Sequence, residues 1–199
     1  MQSKPSASNG PLSCTATPLS DLPLLRPEAI NIIIIITVII IISRVEFTNV
    51  KCTSHDPEFA NFDYCLLKSV NRTYKYLSLK VNLVKKPITK IKVNVALFQR
   101  LNGYKPFLYN VTVDACKFLK NQKSNPVATY IYSFFKSHSN MNHTCPFDHD
   151  IILERLNTNF LNMQVTDVLP VPHGDYLFHS NWFAYDINRA TVNVYVTIS

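Results

Sequence analysis

The chain has 199 residues, 47% hydrophobic and 17% charged, with 20 Lys+Arg against 13 Asp+Glu for a formal charge of +7. That length sets one domain as the starting expectation, and the composition is too apolar for disorder. Only three glycines occur, Gly10, Gly103 and Gly174. This excludes phosphate loops, dinucleotide fingerprints and nucleophile elbows, which need closely spaced glycines where backbone meets phosphate or turns sharply.

The chain opens with a Ser- and Pro-rich stretch without hydrophobic periodicity. It then enters thirteen apolar positions, residues 30–42, broken only by Asn31 and Thr37. As a helix this run is about 20 Å long, short of a bilayer span and matched to the apolar core of a secretory signal. Arg26 precedes it and small Ser43 follows, which sets the expected cleavage between Ser43 and Arg44. The competing reading is an uncleaved signal-anchor with a short cytoplasmic tail. The expected organisation is residues 1–43 as an unstructured extension plus signal peptide and residues 44–199 as one folded domain.

Cysteines and sequons support export independently. Cleavage removes Cys14 and leaves Cys52, Cys65, Cys116 and Cys145, an even set without C-x-x-C spacing. Three pairings are possible, and the favoured one joins Cys52 to Cys65 and Cys116 to Cys145, each bracketing a local excursion. Three glycosylation sequons, at Asn71, Asn110 and Asn142, all lie beyond the leader.

Beyond Arg44 the dominant period is two. Leu77, Leu79, Val81 and Leu83 alternate with polar residues, as do Ile91, Val93 and Val95. Phe107, Tyr109, Val111 and Val113 repeat the pattern, and so do Val192, Val194, Val196 and Ile198. Such stripes are strands with one buried and one solvated face, the habit of antiparallel sheets. Further strands are expected over residues 45–52, 62–70, 150–153, 164–169 and 176–186, for eight or nine in all. Lys85-Lys86-Pro87 ends one strand, Asn102-Gly103 signals a hairpin, and Pro172-His173-Gly174-Asp175 makes another turn. One helix interrupts the pattern. Asn125 caps it, Pro126 takes its first position, and Val127, Tyr130, Ile131, Phe134 and His138 follow helical spacing.

Candidate chemistry is thin. His143, Asp148 and His149 form the densest ligand-type cluster, but the spacing matches no zinc motif and Pro146 breaks any helix there. His173 and His179 have no marked partner, and Asp148 and Asp150 are a common chance pair. No serine sits in an elbow. The reading is therefore no enzyme, no cofactor and no metal. The lysines beyond the leader are dispersed, with no basic helix, so nucleic acid is not an expected partner. A solvated basic surface is the plain reading, and affinity for anionic headgroups the alternative.

Aromatics are the remaining signal: 12 Phe, 10 Tyr and one Trp, all beyond the leader and dense in residues 130–135 and 176–185. They fit a filled core, or an apolar cavity between two slightly splayed sheets that takes a lipid tail. Periodicity cannot separate the two.

Several fragments together resemble an insect secreted family catalogued as domain of unknown function 1091. They are Phe47-Thr48-Asn49-Val50-Lys51-Cys52, Tyr64-Cys65, Lys68-Ser69-Val70-Asn71-Arg72-Thr73, and Asn102-Gly103-Tyr104-Lys105-Pro106-Phe107-Leu108. Asp114-Ala115-Cys116-Lys117-Phe118-Leu119, Cys145-Pro146 and Gly174-Asp175-Tyr176 complete the set. That family is similar to the ML lipid-recognition sandwich and to insect pheromone-response proteins of the CheB type. The resemblance implies an all-β, immunoglobulin-like antiparallel sandwich of ML type with one accessory helix. It also implies a secreted chemosensory binder of a lipid or hydrophobic semiochemical, with a membrane receptor as a further partner. The rival is an extracellular interaction protein acting through its surface.

The cavity expectation is specific. Leu77, Leu79, Val81 and Leu83 should lie beside Ile91, Val93, Val95 and Leu97 in one sheet, joined by the short Lys-Lys-Pro turn. The Asn102-Gly103 hairpin should add Phe107, Tyr109 and Val111 to the same face. The opposing sheet should carry Val192, Val194, Val196 and Ile198.

Overall fold

Alternation of apolar and polar residues dictates a two-faced sheet, and the chain builds two of them. The structure is a computed structural model that describes Glu28 and residues 44–71, 74–166 and 171–199, without the side chains of 163–166. The expected leader lies outside the described residues. The strands are β1 (Val45–Ser54), β2 (Ala60–Ser69), β3 (Lys75–Leu83), β4 (Ile91–Leu101), β5 (Gly103–Asp114), β6 (Ile151–Asn157), β7 (Gly174–Ala184) and β8 (Ile187–Ile198). A five-stranded sheet runs β1-β8-β7-β4-β5 and a three-stranded sheet runs β2-β3-β6. All pairings are antiparallel.

Register explains the two faces of the larger sheet. Val111, Val95, Ser180, Val192 and Cys52 stand opposite one another across all five strands. One residue along, Thr112, Asn94, Asn181, Thr191 and Thr53 do the same. The first row turns inward. The second faces out and satisfies itself: the Asn94 amide donates to Asn110 Oδ1 at 2.9 Å and Thr112 Oγ1 at 3.0 Å, and the Thr191 hydroxyl donates to Asn181 Oδ1 at 2.7 Å.

Cys52 pairs with Cys65 and Cys116 with Cys145. The first bond ties β1 of one sheet to β2 of the other, because Cys52 sits in the inward row.

One expectation is corrected. The stripes of β3 and β4 are not neighbours in a sheet; they belong to opposing sheets, and the Val192 stripe of β8 shares a sheet with β4. The connection, residues 84–90, is no tight hairpin. Ile88 within it pairs with Phe147, and both are 2% exposed. Seven extended residues reach roughly 23 Å, more than twice the ~10 Å between packed sheets, so the chain can cross. An inward stripe looks the same from either sheet.

Three smaller differences follow. Residues 176–186 are not all strand: β7 stops at Ala184, and Tyr185 and Asp186, at φ 53° and 65°, make a two-residue hairpin into β8. Two positive φ values suit the right-handed strand twist. Asp186 is held by Lys90 and, at 2.7 Å, by Lys92. The expected strand 164–169 begins inside a helix, α3 (Thr158–Thr166), and its remainder lies outside the described residues. The expected single helix is α2 (Pro126–Ser133), whose Asn125 Oδ1 accepts from the Ala128 amide at 3.0 Å. It is joined by α1 (Ala115–Lys120), capped by Asp114, and by α3. Asn102-Gly103 does make the β4–β5 hairpin, with Gly103 at φ 89°.

The buried residues do not form one continuous core. One cluster gathers Phe59, Ala60, Leu83, Ile88, Phe147 and Ala184, and another gathers Phe47, Leu77, Leu153, Leu156 and Leu161. Leu83 and Leu77 mark the two ends of β3, about 20 Å apart at strand rise. A domain of this size ordinarily has one contiguous core.

Candidate functional site: an apolar cavity between the sheets

The space between these clusters is a cavity of about 330 Å³ whose wall is almost wholly apolar. The expected residues distribute as follows. Leu77, Leu79 and Val81 line it from β3, and Ile91 and Val95 from β4. Tyr109 lines it from β5 and Val192, Val194 and Val196 from β8. Val93, Phe107 and Val111 do not. Val93 stands opposite Val113, which packs under the α1–α2 cluster of Phe118, Ala128 and Tyr132. Phe107 packs its ring 5.5 Å from that of Tyr176. The register of β4 with β5 shifts between Ala96 and Phe98, and Leu108 sits there at φ 60°. Such a bulge re-aims the side chains on either side of it.

The wall also has contributors the alternation could not reveal. Helix α2 supplies Tyr130 and Ile131, and its C-cap Phe134 and the following Phe135 add two more rings. The Tyr130 and Phe134 rings meet edge to face at 4.7 Å, as residues four apart on a helix do. The helix is anchored from the other side, where the Tyr132 hydroxyl donates to Met141 O at 2.7 Å. Burial pushes the Tyr130 hydroxyl above its ordinary pKa, and neighbouring Tyr109 adds to the effect. Phe59 and Phe147 come from connections between strands. The aromatic density of residues 130–135 was the available signal for the helix. Nothing in the spacing announced Phe59 or Phe147.

Polar lining groups are few and mostly spent. Ser180 donates to Val192 O at 3.2 Å and accepts from Trp182 Nε1 at 3.0 Å. The Tyr176 hydroxyl donates to Pro172 O at 2.7 Å. Arg189, at the start of β8, pairs with the Asp56 carboxylate and lays its guanidinium 4.2 Å over the Phe59 ring.

Outside the cavity, His143 and His149 face each other with Nε2 atoms 2.6 Å apart. Among the described residues no group of three or more His, Cys, Asp or Glu could hold a metal ion. Nor, among them, is any helix long and apolar enough to cross a membrane. Asn71, Asn110 and Asn142 are exposed.

No curated protein matches the chain. Among solved structures, a Niemann-Pick type C2 protein from the Japanese carpenter ant is similar over 77% of this chain and 90% of its own, at 10% identity and a TM-score of 0.29. Residues 93–178, running from β4 through the helical excursion into β7, match the family model described as Protein of unknown function (DUF1091), and over this stretch the family resemblance read from the sequence is shown.

Proposed function

We propose that the protein is a secreted, non-enzymatic carrier that holds a lipid or other hydrophobic small molecule between its two sheets. The cavity supports this reading. Its volume of about 330 Å³ is at the lower end of the roughly 300–1,000 Å³ of small-molecule sites. Its wall offers hydrocarbon almost everywhere, so an apolar chain gains about 0.8 kcal/mol per methylene buried, and a polar body would forfeit its hydration without replacement. Two disulfides and exposed Asn110 and Asn142, each within a sequon, fit an oxidising, glycosylating secretory route. Residues 44–199 are the proposed mature unit.

Native mass spectrometry of the protein secreted from eukaryotic cells tests the reading. A co-purified apolar molecule that organic solvent extracts is the expected result. A ligand-free mass, together with failure to take up any fluorescent fatty-acid or hydrocarbon probe, leaves the surface-interaction reading in its place.

A further inference from the structure

We propose that the cavity opens at Leu108 on the free edge of β5, and that the flank around this mouth docks onto bilayers rich in anionic lipid, from which the protein takes its ligand. This rests on the carrier reading and names the surface and the partner through which that site is filled.

Burial locates the mouth. Among the described residues that line the cavity, Leu108 is the one exposed side chain, at 59%. A single isobutyl group that touches both the cavity and bulk water stands at an opening. The topology agrees. Five strands face three, and the Cys52–Cys65 bond ties β1 to β2, so β5 is the edge farthest from that tie and has no strand on its outer side. Leu108 also has φ 60°, at the register shift of β4 with β5. Leucine rarely takes that conformation, and such outliers gather where a side chain is aimed for a purpose.

Charge around the mouth selects the partner. The stretch from Arg100 to Phe147 holds β5 and the helical excursion, and helix α2 lies beside β5, where Tyr130 neighbours Tyr109. In this stretch six Lys or Arg stand against one acidic residue, Asp114, so it carries five of the chain's seven net positive charges. All six basic residues are exposed. Arg100 lies 3.7 Å from Asp175, Lys117 lies 3.9 Å from Asp114, and Lys136 donates to Gln122 Oε1 at 3.3 Å. Lys105, Lys120 and Lys123 have no carboxylate partner among the described residues. At strand rise, Lys105 is about 10 Å from Leu108 on one side, and the end of β5, where α1 begins, is about 20 Å away on the other.

The same hairpin exposes Leu101, at 66%, and Tyr104. Apolar side chains set among unpaired lysines suit a membrane interface, with the apolar groups at the acyl boundary and the cations among anionic headgroups. Lysine on an edge strand also discourages strand-to-strand pairing. That role does not extend to α1, and it does not account for an exposed leucine in the cavity wall. An acidic protein would satisfy the lysines but offers an apolar ligand no phase to come from, whereas a bilayer supplies both. Asn110 faces out with Asn94, which donates to it at 2.9 Å, so a glycan there projects from the face of the sheet opposite the cavity.

The test is flotation of the secreted protein with vesicles of phosphatidylcholine, or of phosphatidylcholine with phosphatidylserine. Uptake of a fluorescent fatty acid from aqueous dispersion, measured in parallel, reports carriage separately. The native chain should bind the anionic vesicles at least about tenfold more tightly at low salt, and the difference should fade as salt shortens the Debye length. Replacing Lys105, Lys120 and Lys123 together with Gln should weaken that binding on the order of a hundredfold, about fivefold for each lysine. Leu108→Asn keeps a residue that tolerates positive φ, and it should weaken vesicle binding and slow transfer of the fluorescent fatty acid out of vesicles. Leu66→Asn, an exposed leucine of β2 in the other sheet, should leave vesicle binding unchanged. If the native protein takes up the probe from dispersion but binds both kinds of vesicle equally, the inference is overturned and carriage stands. If anionic binding survives both the triple Lys variant and Leu108→Asn, docking lies elsewhere and the inference is again overturned. Binding to immobilised polyglutamate with no binding to anionic vesicles makes the partner an acidic protein and also overturns it. If the probe is not taken up from dispersion or from vesicles, carriage itself fails.

Discussion

Replacing Val95 with Trp tests whether the space between the sheets is a working cavity. Val95 is 8% exposed, lies in the inward row between Val111 and Ser180, and lines the cavity. The substitution adds seven heavy atoms, roughly 90 Å³ at the packing density of protein interiors. Against about 330 Å³ of cavity that is about a quarter of the space, so the indole enters volume that no neighbour must vacate. Stability should then hold or rise slightly, because more apolar surface is buried without overpacking. In a filled core the same change costs roughly 1–3 kcal/mol. For a domain of this size that corresponds to a fall in Tm of roughly 2–12 °C. The assay pairs a thermal melt with titration of a fluorescent fatty-acid probe. The expected result is an unchanged Tm with probe uptake strongly reduced. A large loss of Tm, with no probe uptake even by the native chain, would refute the reasoning.

Three further outcomes are expected. Removing the Cys52–Cys65 bond by a double Ser substitution should cost on the order of 3 kcal/mol in denaturant unfolding, and removing Cys116–Cys145 about 0.7 kcal/mol more, since its loop is longer, 29 residues apart against 13; equal or reversed losses count against a chain-entropy origin. Asp186 should titrate at about 2, held down by its hydrogen bonds to Lys90 and Lys92. Its folded pKa lies below the unfolded value of 3.8, so its contribution to stability is present above that value and is lost as pH falls through about 2; an NMR titration placing the carboxyl near 3.8 would contradict the arrangement. Gly103→Ala should destabilise by about 1 kcal/mol through backbone strain alone, because Gly103 has φ +89° and nothing within 4 Å of an added Cβ; a neutral result in chemical denaturation would show that the turn can relax.

Much of the architecture was legible because local rules carry it. Alternation at Leu77–Leu83 and Val192–Ile198 can only bury one face of a strand, whichever sheet receives it. Asn125-Pro126 starts a helix by chemistry confined to four residues, and Asn102-Gly103 makes a hairpin by its own backbone freedom. The turn at Tyr185-Asp186 was not legible, because it lacks the glycine that marks two-residue hairpins and Tyr seldom takes positive φ. It exists because Asp186 meets Lys90 and Lys92, and Tyr185 packs edge to face on Phe59 at 6.4 Å, contacts from distant parts of the chain. Helix α3 takes in the first three residues of the expected strand 164–169 for a related reason: Leu161 at its buried face clusters with Phe47, Leu77, Leu153 and Leu156, which lie far away in the sequence.

The sequence by itself determined that the domain is an antiparallel sandwich with inward stripes of Leu, Ile, Val and aromatic residues. Only the tertiary structure decided which stripes face each other. Residues 84–90 cross the gap between the sheets where a hairpin was expected, so β3 opposes β4 and the two stripes become opposite walls of one space. It also decided that the space between the sheets is open and almost wholly apolar. The physical reason is that periodicity records which side of a strand avoids water. The distance to the facing sheet, and the partner each buried donor finds, depend on side chains far apart in sequence, and no local spacing records them.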